Sequence, residues 1–503
     1  MVRCGRNRKG GSALTAPPGP HVVVDAPPQL SAAVLPAVVL SALTALERGG
    51  AGPAYVVGGA VRDLLLGRPV RDYDLATALD PEHATQALAA AGLRVVPTGI
   101  RFGTVTAMRP EDGASVEVTT LRAEAGYRDR RHPDEVRWTD DIVVDLARRD
   151  FTINALAWRP FGEPGHGVGD GTLADPFGGR SDLRARHLRA VGEPQRRFRE
   201  DPLRVARLFR LAAELDFQPE AATLAAAAAT APELRGVSRE RVRDELDRLV
   251  LAPALWRVGE GVARILLPSV LAEWRELTAF EASRWRESVS VAALFDKRRR
   301  IVHKPVDLHS VLCAARCPPR RTLRWAALLH DLGKPRTFAL SESGRVTFYG
   351  HEGVGAEMAR AALVSLRMPP RLVDRVCALV AVHLWPWQEA SPAGLRRLVR
   401  SLGEEGARDL LELHRADVEA STPAGWPLYE SARAALDEAL AGDAPTAASA
   451  LAIDGRDVMR VLAMPPGPRV GEILAALLER VLDDPAENTR PRLLLRLAER
   501  RWH

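Results

Sequence analysis

Residues 55–77 read YVVGGAVRDLLLGRPVRDYDLAT, and the order of parts in this stretch sets how the chain is read. A short apolar run, Tyr55–Val57, has strand character. A turn at Gly58 and Gly59 follows, then a helix start, then a strand carrying Asp72 and Asp74. Side chains two residues apart on an extended strand share a face, so the two carboxylates can share divalent cations. The glycines let the backbone approach a ligand closely, and the first N–H groups of the next helix suit a phosphate. Together these parts predict Mg²⁺-assisted transfer from a nucleoside triphosphate.

The chain has 503 residues, 46% of them hydrophobic and 27% charged, which is ordinary globular composition. That length allows roughly three or four domains or subdomains and a sizeable core. A net charge of +6 and a pI near 9.4 fit a nucleic-acid partner. Lysine is confined to Lys9, Lys297, Lys304 and Lys334, so the positive charge is almost all arginine, whose fork suits phosphate. The four cysteines have no framework spacing, which points to a reduced cytoplasmic protein. No apolar run reaches the roughly 18 residues of a membrane span.

GGAVRDLLLG followed by RDYDLAT resembles the opening of the bacterial-type (class II) nucleotidyltransferases that build the CCA end of tRNA, a class that also contains the bacterial poly(A) polymerases. The resemblance implies an α+β chain. A small nucleotidyltransferase head with a mixed sheet would be followed by an elongated all-α neck, body and tail. The expected division is a disordered tail over 1–30, the head over 31–160, a base-reading neck over 161–250, a helical body over 251–300, a phosphohydrolase domain over 301–440 and a tRNA-binding helical tail over 441–503.

Within the head, helical spacing is expected over 35–47 and 81–91, with strands over 93–96, 103–107 and 115–120. In the last of these Glu117 alternates with Val116 and Val118 and points away from them. The resemblance makes it the third acidic residue, completing a catalytic Mg²⁺ site with Asp72 and Asp74. The segment RAEAGYRDRRHPDEVRWTDD is expected to be a polar loop. It resembles the family's loop for adding the terminal A. Arg148 and Arg149 in RRDFTINALAW can contact a triphosphate, and Asp150 and Asn154 can bond sugar or phosphate. Asp150 also stands where a helix N-cap would. The string matches the family's RRDxxxN motif, and the resemblance adds Gly58, Gly59 and Arg62 to the nucleotide site.

Arg204, Arg207 and Arg210 recur every three residues after Glu200 and Asp201, placing them along one side of a helix. A carboxylate accepts from the amino group of C or A while arginine donates to ring acceptors, so such a pair can select both bases without a nucleic-acid template. EDPLR matches the family's protein-template motif. That assigns base recognition to Glu200, Asp201 and Arg204, with Arg207 among the nucleotide-binding residues. SRERVRDEL resembles the last neck motif, bracing the reader through Glu240, Arg241 and Glu245.

Further on come His309, His330 and Asp331 in LLHDLGKP, His351, His383 and Asp417. Imidazoles and carboxylates suit one or two divalent metals that activate water. The ordered set resembles an HD-type phosphohydrolase domain, of the kind acting on 2′,3′-cyclic phosphates and 2′-nucleotides, with a metal of the Mg, Mn, Ni or Co type. The implied partners are a tRNA acceptor end, CTP and ATP, with no membrane. The sequence leaves open whether CCA, A alone or poly(A) is added, and whether the chain oligomerises.

Overall fold

The computed structural model describes residues 23–49, 52–125, 135–161, 171–283, 295–296, 301–302, 305–342, 346–422, 425–441 and 447–499. The chain divides into two compact units, Met1–Glu245 and Leu246–His503.

The first unit is built on an eight-stranded sheet. Its strands are β1 (Val23–Asp25), β2 (Ala54–Val57), β3 (Asp74–Thr77), β4 (Arg94–Gly99), β5 (Thr104–Met108), β6 (Ser115–Thr120), β7 (Ala157–Arg159) and β8 (Thr172–Ala174). They lie in the order β1-β8-β7-β2-β3-β6-β5-β4. Every pairing is antiparallel except β3 with β6, so the sheet is mixed. The parallel pair sets Asp74 opposite Glu117. Along β6 Val116 and Val118 are buried and Glu117 is exposed, the alternation expected of a half-buried strand. Around the sheet lie the helices α1 (Ala37–Arg48), α2 (Gly59–Leu65), α3 (Pro81–Ala90) and α4 (Ile142–Ala147). Val57, Ala76, Leu121, Leu146 and Ala157 meet in one buried cluster.

Three local expectations are corrected. Strand β3 begins at Asp74, so Asp72 precedes the strand. The physical reason is its partner: β2 ends at Val57, paired with Asp74, because Gly58 turns the chain away. The stretch 121–145 is more than a loop: Arg122–Ala125 pairs with Glu135–Trp138, and α4 follows. Residues 126–134 lie outside the described residues. Asp150 does not cap a helix, because the short turn Thr152–Asn154 starts one residue later and its cap position is Phe151. In the expected N-terminal tail, residues 1–22 lie outside the described residues, while Val23–Asp25 pairs with β8 at the sheet edge.

The rest of the first unit is mostly helical: α5 (Gly179–Ala185), α6 (Pro194–Glu200), α7 (Leu203–Leu215), α8 (Ala221–Thr230) and the start of α9 (Arg239–Leu251). A buried stripe on α7, including Val205, Leu208, Phe209 and Ala212, fixes how its arginines turn. Arg210 falls among the buried positions, 3% exposed, and pairs with Glu245 and Glu214.

In the second unit, α10 (Ala272–Ala282), α11 (Val306–Arg316), α12 (Arg321–Leu329), α13 (His351–Ser365), α14 (Pro370–Ala381), α15 (Pro392–Ser421) and α16 (Tyr429–Ala441) surround a helical core. Arg324 is buried and donates to the carbonyls of Cys317, Val250 and Ala252, which ties α12 to the segments before it. The α15 span is two helices joined at Gly403, whose φ of 72° and ψ of 170° lie outside any helix. The C-terminal helices α17 (Gly455–Leu462), α18 (Pro468–Asp483) and α19 (Arg490–Glu499) enclose their own apolar cluster around Val458, Ile473, Leu477, Val481 and Leu493. Among the described residues no helix is long and apolar enough to cross a membrane.

Candidate active site and metal centre

The first site is assembled on the β2–α2 turn, the β3/β6 pair and the 145–154 segment. Gly58 has φ of 72°, and a Cβ there would stand 2.7 Å from Arg149 Nη1. Only glycine fits where the guanidinium crosses the turn. Desolvation raises the pKa of Asp74; the Arg149 charge opposes this and the Asp72 carboxylate adds to it. Glu117 is raised by desolvation, then by Asp74 and Asp72. Three carboxylates that disfavour one another's charge form a donor set that fits a divalent cation. Mg²⁺ takes one or two carboxylates and completes its shell with substrate phosphate.

Arg148 and Arg149 are held by a residue that the sequence reading missed. Asp145 is 1% exposed. It accepts from Arg148 Nε and Nη2 at 2.9 and 2.7 Å and from Arg149 Nη2 at 3.3 Å. Those two charges hold its pKa below the ordinary carboxylate range although burial works the other way. The signal was present: an aspartate three and four residues ahead of two arginines on a helix pairs with both. Arg149 Nε remains buried without a hydrogen-bond partner.

Arg62 Nη1 donates to Asn154 Oδ1 at 2.7 Å, and Asn154 Nδ2 donates to Asp150 Oδ1 at 3.1 Å. Asp150 also faces Arg207 Nη2 at 3.1 Å. Burial opposes its ionisation, but Arg207 and then the Asn154 amide outweigh that and bring it to about 2. Arg62, Asp150, Asn154 and Arg207 are thus one continuous chain of polar contacts.

Around α6 and α7 two of the expected base readers, Glu200 and Arg204, are engaged with each other, and Asp201 bonds elsewhere. Arg204 Nη1 donates to Glu200 Oε2 at 2.9 Å, and its Nη2 donates to the Arg148 carbonyl at 3.2 Å. Asp201 accepts from Arg241 Nη2 at 2.8 Å and from the Leu203 N–H. Arg241 thus ties α9 to the α6–α7 junction by an ion pair. Arg207 Nε is buried without a hydrogen-bond partner and faces Glu245 Oε1 at 4.0 Å.

The second site lies wholly in the second unit. His309 comes from α11, His330 and Asp331 from the end of α12, His351 from the start of α13, His383 from just after α14, and Asp417 from α15. All six are 1–6% exposed. His309 Nε2 lies 3.0 Å from Asp417 Oδ1, His330 Nε2 lies 3.3 Å from Asp331 Oδ2, and His351 Nε2 lies 3.4 Å from Asp331 Oδ1. His351 and His383 bring their Nε2 atoms within 3.2 Å. The Nδ1 atoms of His330, His351 and His383 donate to the carbonyls of Ala327, Phe348 and Val380 at 2.7–2.8 Å. That arrangement turns the Nε2 lone pairs inward as metal donors.

Two groups of ligand atoms lie within 4.8 Å of one another, His309–His330–Asp331 and Asp331–His351–His383, and they share Asp331. This donor set fits divalent metal ions. Lys334 Nζ lies 2.6 Å from Asp331 Oδ2. Asp331 is held well below the carboxylate range by His330 and Lys334 despite its burial. Burial, reinforced by His330, pulls His383 down to about 3. A Cβ on Gly333 would strike the His351 carbonyl oxygen at 2.2 Å, so the glycine of LLHDLGKP is what lets α13 seat its histidine here.

Three comparisons with known proteins bear on these sites. The chain is 30% identical over 461 residues to a CCA-adding enzyme of Geobacillus stearothermophilus, covering 89% of this chain and 93% of that protein. The chain belongs to the tRNA nucleotidyltransferase family. An A-adding tRNA nucleotidyltransferase of Deinococcus radiodurans is 36% identical to this family member over 445 residues, 85% of this chain and 91% of the relative. The model of the poly A polymerase head domain matches residues 54–189, the HD domain model matches 310–420, and a model described as a probable RNA and SrmB-binding site of polymerase A matches 216–271. A crystal structure of the Bacillus stearothermophilus CCA-adding enzyme in complex with CTP superimposes with a TM-score of 0.63 at 29% identity. It covers 92% of this nucleotidyltransferase and 96% of its own chain.

Proposed function

We propose that this chain is a template-independent tRNA 3′-end nucleotidyltransferase that adds C, C and A from CTP and ATP and releases pyrophosphate. Support comes above all from the contacts joining the acid pair, the triphosphate arm and the base reader in one unit. Arg149 stands beside Gly58 and Asp74, while Arg204 bonds the Arg148 carbonyl and Arg207 pairs with Asp150.

In this reading Asp72, Asp74 and Glu117 hold a divalent ion, Mg²⁺. When bound, it lowers the pKa of the attacking 3′-hydroxyl and offsets charge on the leaving pyrophosphate. Arg148, Arg149 and the N–H groups after Gly58 and Gly59 hold the triphosphate. Arg62, Asp150 and Asn154 orient the sugar. Glu200, Asp201 and Arg204 read the base, accepting from the amino group that C and A share and donating to ring acceptors, and Arg207 joins the nucleotide site through Asp150.

The six histidine and aspartate residues of the second unit hold one or two divalent ions of the Mg, Mn, Ni or Co type and serve a phosphoester hydrolase. Lys334 stands ready to meet a phosphate. The helices over 447–499 are assigned to the tRNA. In this reading the enzyme works in the cytoplasm; the sparse, unframed cysteines support that, and the three described ones are buried and free of disulfides.

A second reading, an enzyme adding A alone beside a CC-adding partner, is favoured by the likeness to the A-adding relative. Acceptor tRNAs ending at the discriminator base, at C and at CC, each given CTP, ATP or both, separate the two. Extension of all three acceptors to CCA is the expected result; extension of the CC acceptor alone selects the second reading. Asp74→Ala should abolish incorporation with an unchanged melting temperature, and residual incorporation near the wild-type rate would remove the metal assignment.

A further inference from the structure

Arg197 lies one turn before the proposed base reader. It belongs to none of the residues assigned so far, yet its guanidinium meets three separate acceptors. Nη1 donates to Glu200 Oε2 at 2.9 Å, Nη2 to the Ala147 carbonyl at 2.6 Å, and Nε to the Val191 carbonyl at 3.1 Å. Its own carbonyl accepts from Arg204 Nη1 at 3.0 Å. Its side chain is only 13% exposed. Its neighbours on α6 contrast with it: the Arg196 side chain is 70% exposed and Arg199 is exposed as well.

The acceptors decide what this residue does. Ala147 ends α4 and immediately precedes Arg148 and Arg149. Carbonyls at a helix C-terminus carry partial negative charge and favour a cation. Arg197 and Arg204 therefore sit on two consecutive carbonyls, Ala147 and Arg148, at the root of the triphosphate arm. They also share the Glu200 carboxylate. Glu200 and the Arg197 and Arg148 carbonyls take three of the five N–H donors of Arg204, so a base that engages Arg204 meets a guanidinium already fixed by these partners. Arg197 touches the same carboxylate and the adjoining Ala147 carbonyl, so it links the Arg204 side directly to the root of the Arg148–Arg149 arm.

We propose that Arg197 is a positioning residue: it keeps the triphosphate-holding pair Arg148–Arg149 in register with the base reader, so that selection of the base sets the affinity for the triphosphate. The inference rests on the roles proposed above for Arg148, Arg149 and Arg204. Charge-assisted bonds to three acceptors are specific to the guanidinium fork; a lysine reaches one or two of them.

The test uses the full-length chain, with single-nucleotide incorporation into a tRNA acceptor. Arg197→Met, Arg197→Lys and Arg199→Met are compared with wild type for KM and kcat with CTP, ATP and UTP, and each variant's melting temperature is recorded. Arg197→Met should raise KM for CTP and ATP by about tenfold, with a smaller change in kcat, and lower the preference for CTP over UTP. Arg197→Lys should recover part of both effects. Arg199→Met removes the same charge from the same helix and should behave as wild type. An Arg197→Met enzyme that melts earlier while keeping wild-type KM and base preference overturns the proposal and leaves a purely structural residue. The premise is checked separately with Arg204→Ala. If that variant selects CTP over UTP as well as wild type does, the base-reader assignment fails, whatever Arg197 shows.

Discussion

At the scale of single residues, the first site gathers like charges whose cost must be met by ligand. Asp74 and Glu117 are both shifted upward, Asp74 with Arg149 as the opposing charge. Both must be ionised to hold a cation, so incorporation should fall on acidification at a higher pH than an ordinary carboxylate would give. Removing the opposing charge with Arg149→Met should move that limb higher still, as read from kcat/KM against pH. Asp409 in the second unit gives a cleaner case. It is 1% exposed, and burial, opposed by Arg320, pushes its pKa up to about 6. Between roughly pH 4 and 6 the folded chain therefore holds a proton that the unfolded chain has lost. This residue's contribution to stability is thus present at low pH and fades as pH rises through that window. Asp409→Asn should melt higher than wild type at pH 7, by up to ~3 kcal/mol in stability, and the difference should shrink at pH 5. A melting difference that does not vary with pH would show that Asp409 ionises normally. Single residues were also where the sequence said least. Asp145 and Arg197 act through backbone carbonyls and buried guanidinium groups, and only folded geometry brings those together.

At the scale of elements, the legible parts were those with strong periodicity or a chemical string. The β2–turn–α2–β3 unit, the β6 alternation and α7 followed from spacing. What escaped was decided by pairing partners. Asp72 fell outside its strand because β2 ends opposite Asp74, and the 122–125/135–138 pair was hidden in polar sequence. The second site shows the same logic between helices: α13 can place His351 beside Asp331 only because residue 333 lacks a side chain. Gly333→Ala should push α13 off by an ångström or more and weaken metal uptake at this site by at least tenfold. Titration with Mn²⁺ or Ni²⁺ measures this, and wild-type affinity in the variant would mean that the helix start yields without cost.

At the scale of the whole molecule, the second unit carries the clustered metal donors, and the acids proposed for the first site, all in the other unit, share no residue with them. Metal at the second site should stabilise the unit that holds it, by about 2.7 kcal/mol when the ion is at a hundred times its dissociation constant. A double change, His330→Ala with Asp331→Ala, should abolish the rise in melting temperature on adding Mn²⁺ or Ni²⁺ while nucleotide incorporation continues. Loss of incorporation in that variant would mean that the sites are energetically coupled. The C-terminal helices present a different charge picture from a bare basic surface: Arg460 and Arg490 both meet Asp457, and Arg496 meets Glu487 and Glu499. Ahead of Gly403, Arg396 donates to the Leu482 and Asp483 carbonyls at the end of α18, and Arg397 pairs with Glu479 and Asp483. Beyond Gly403 the same span carries Asp409 and Asp417. With a left-handed residue between them, the two halves take their directions separately. Gly403 therefore sets the course of the half that grips α18 apart from that of the half carrying Asp417, so the two ends of one span answer to different neighbours.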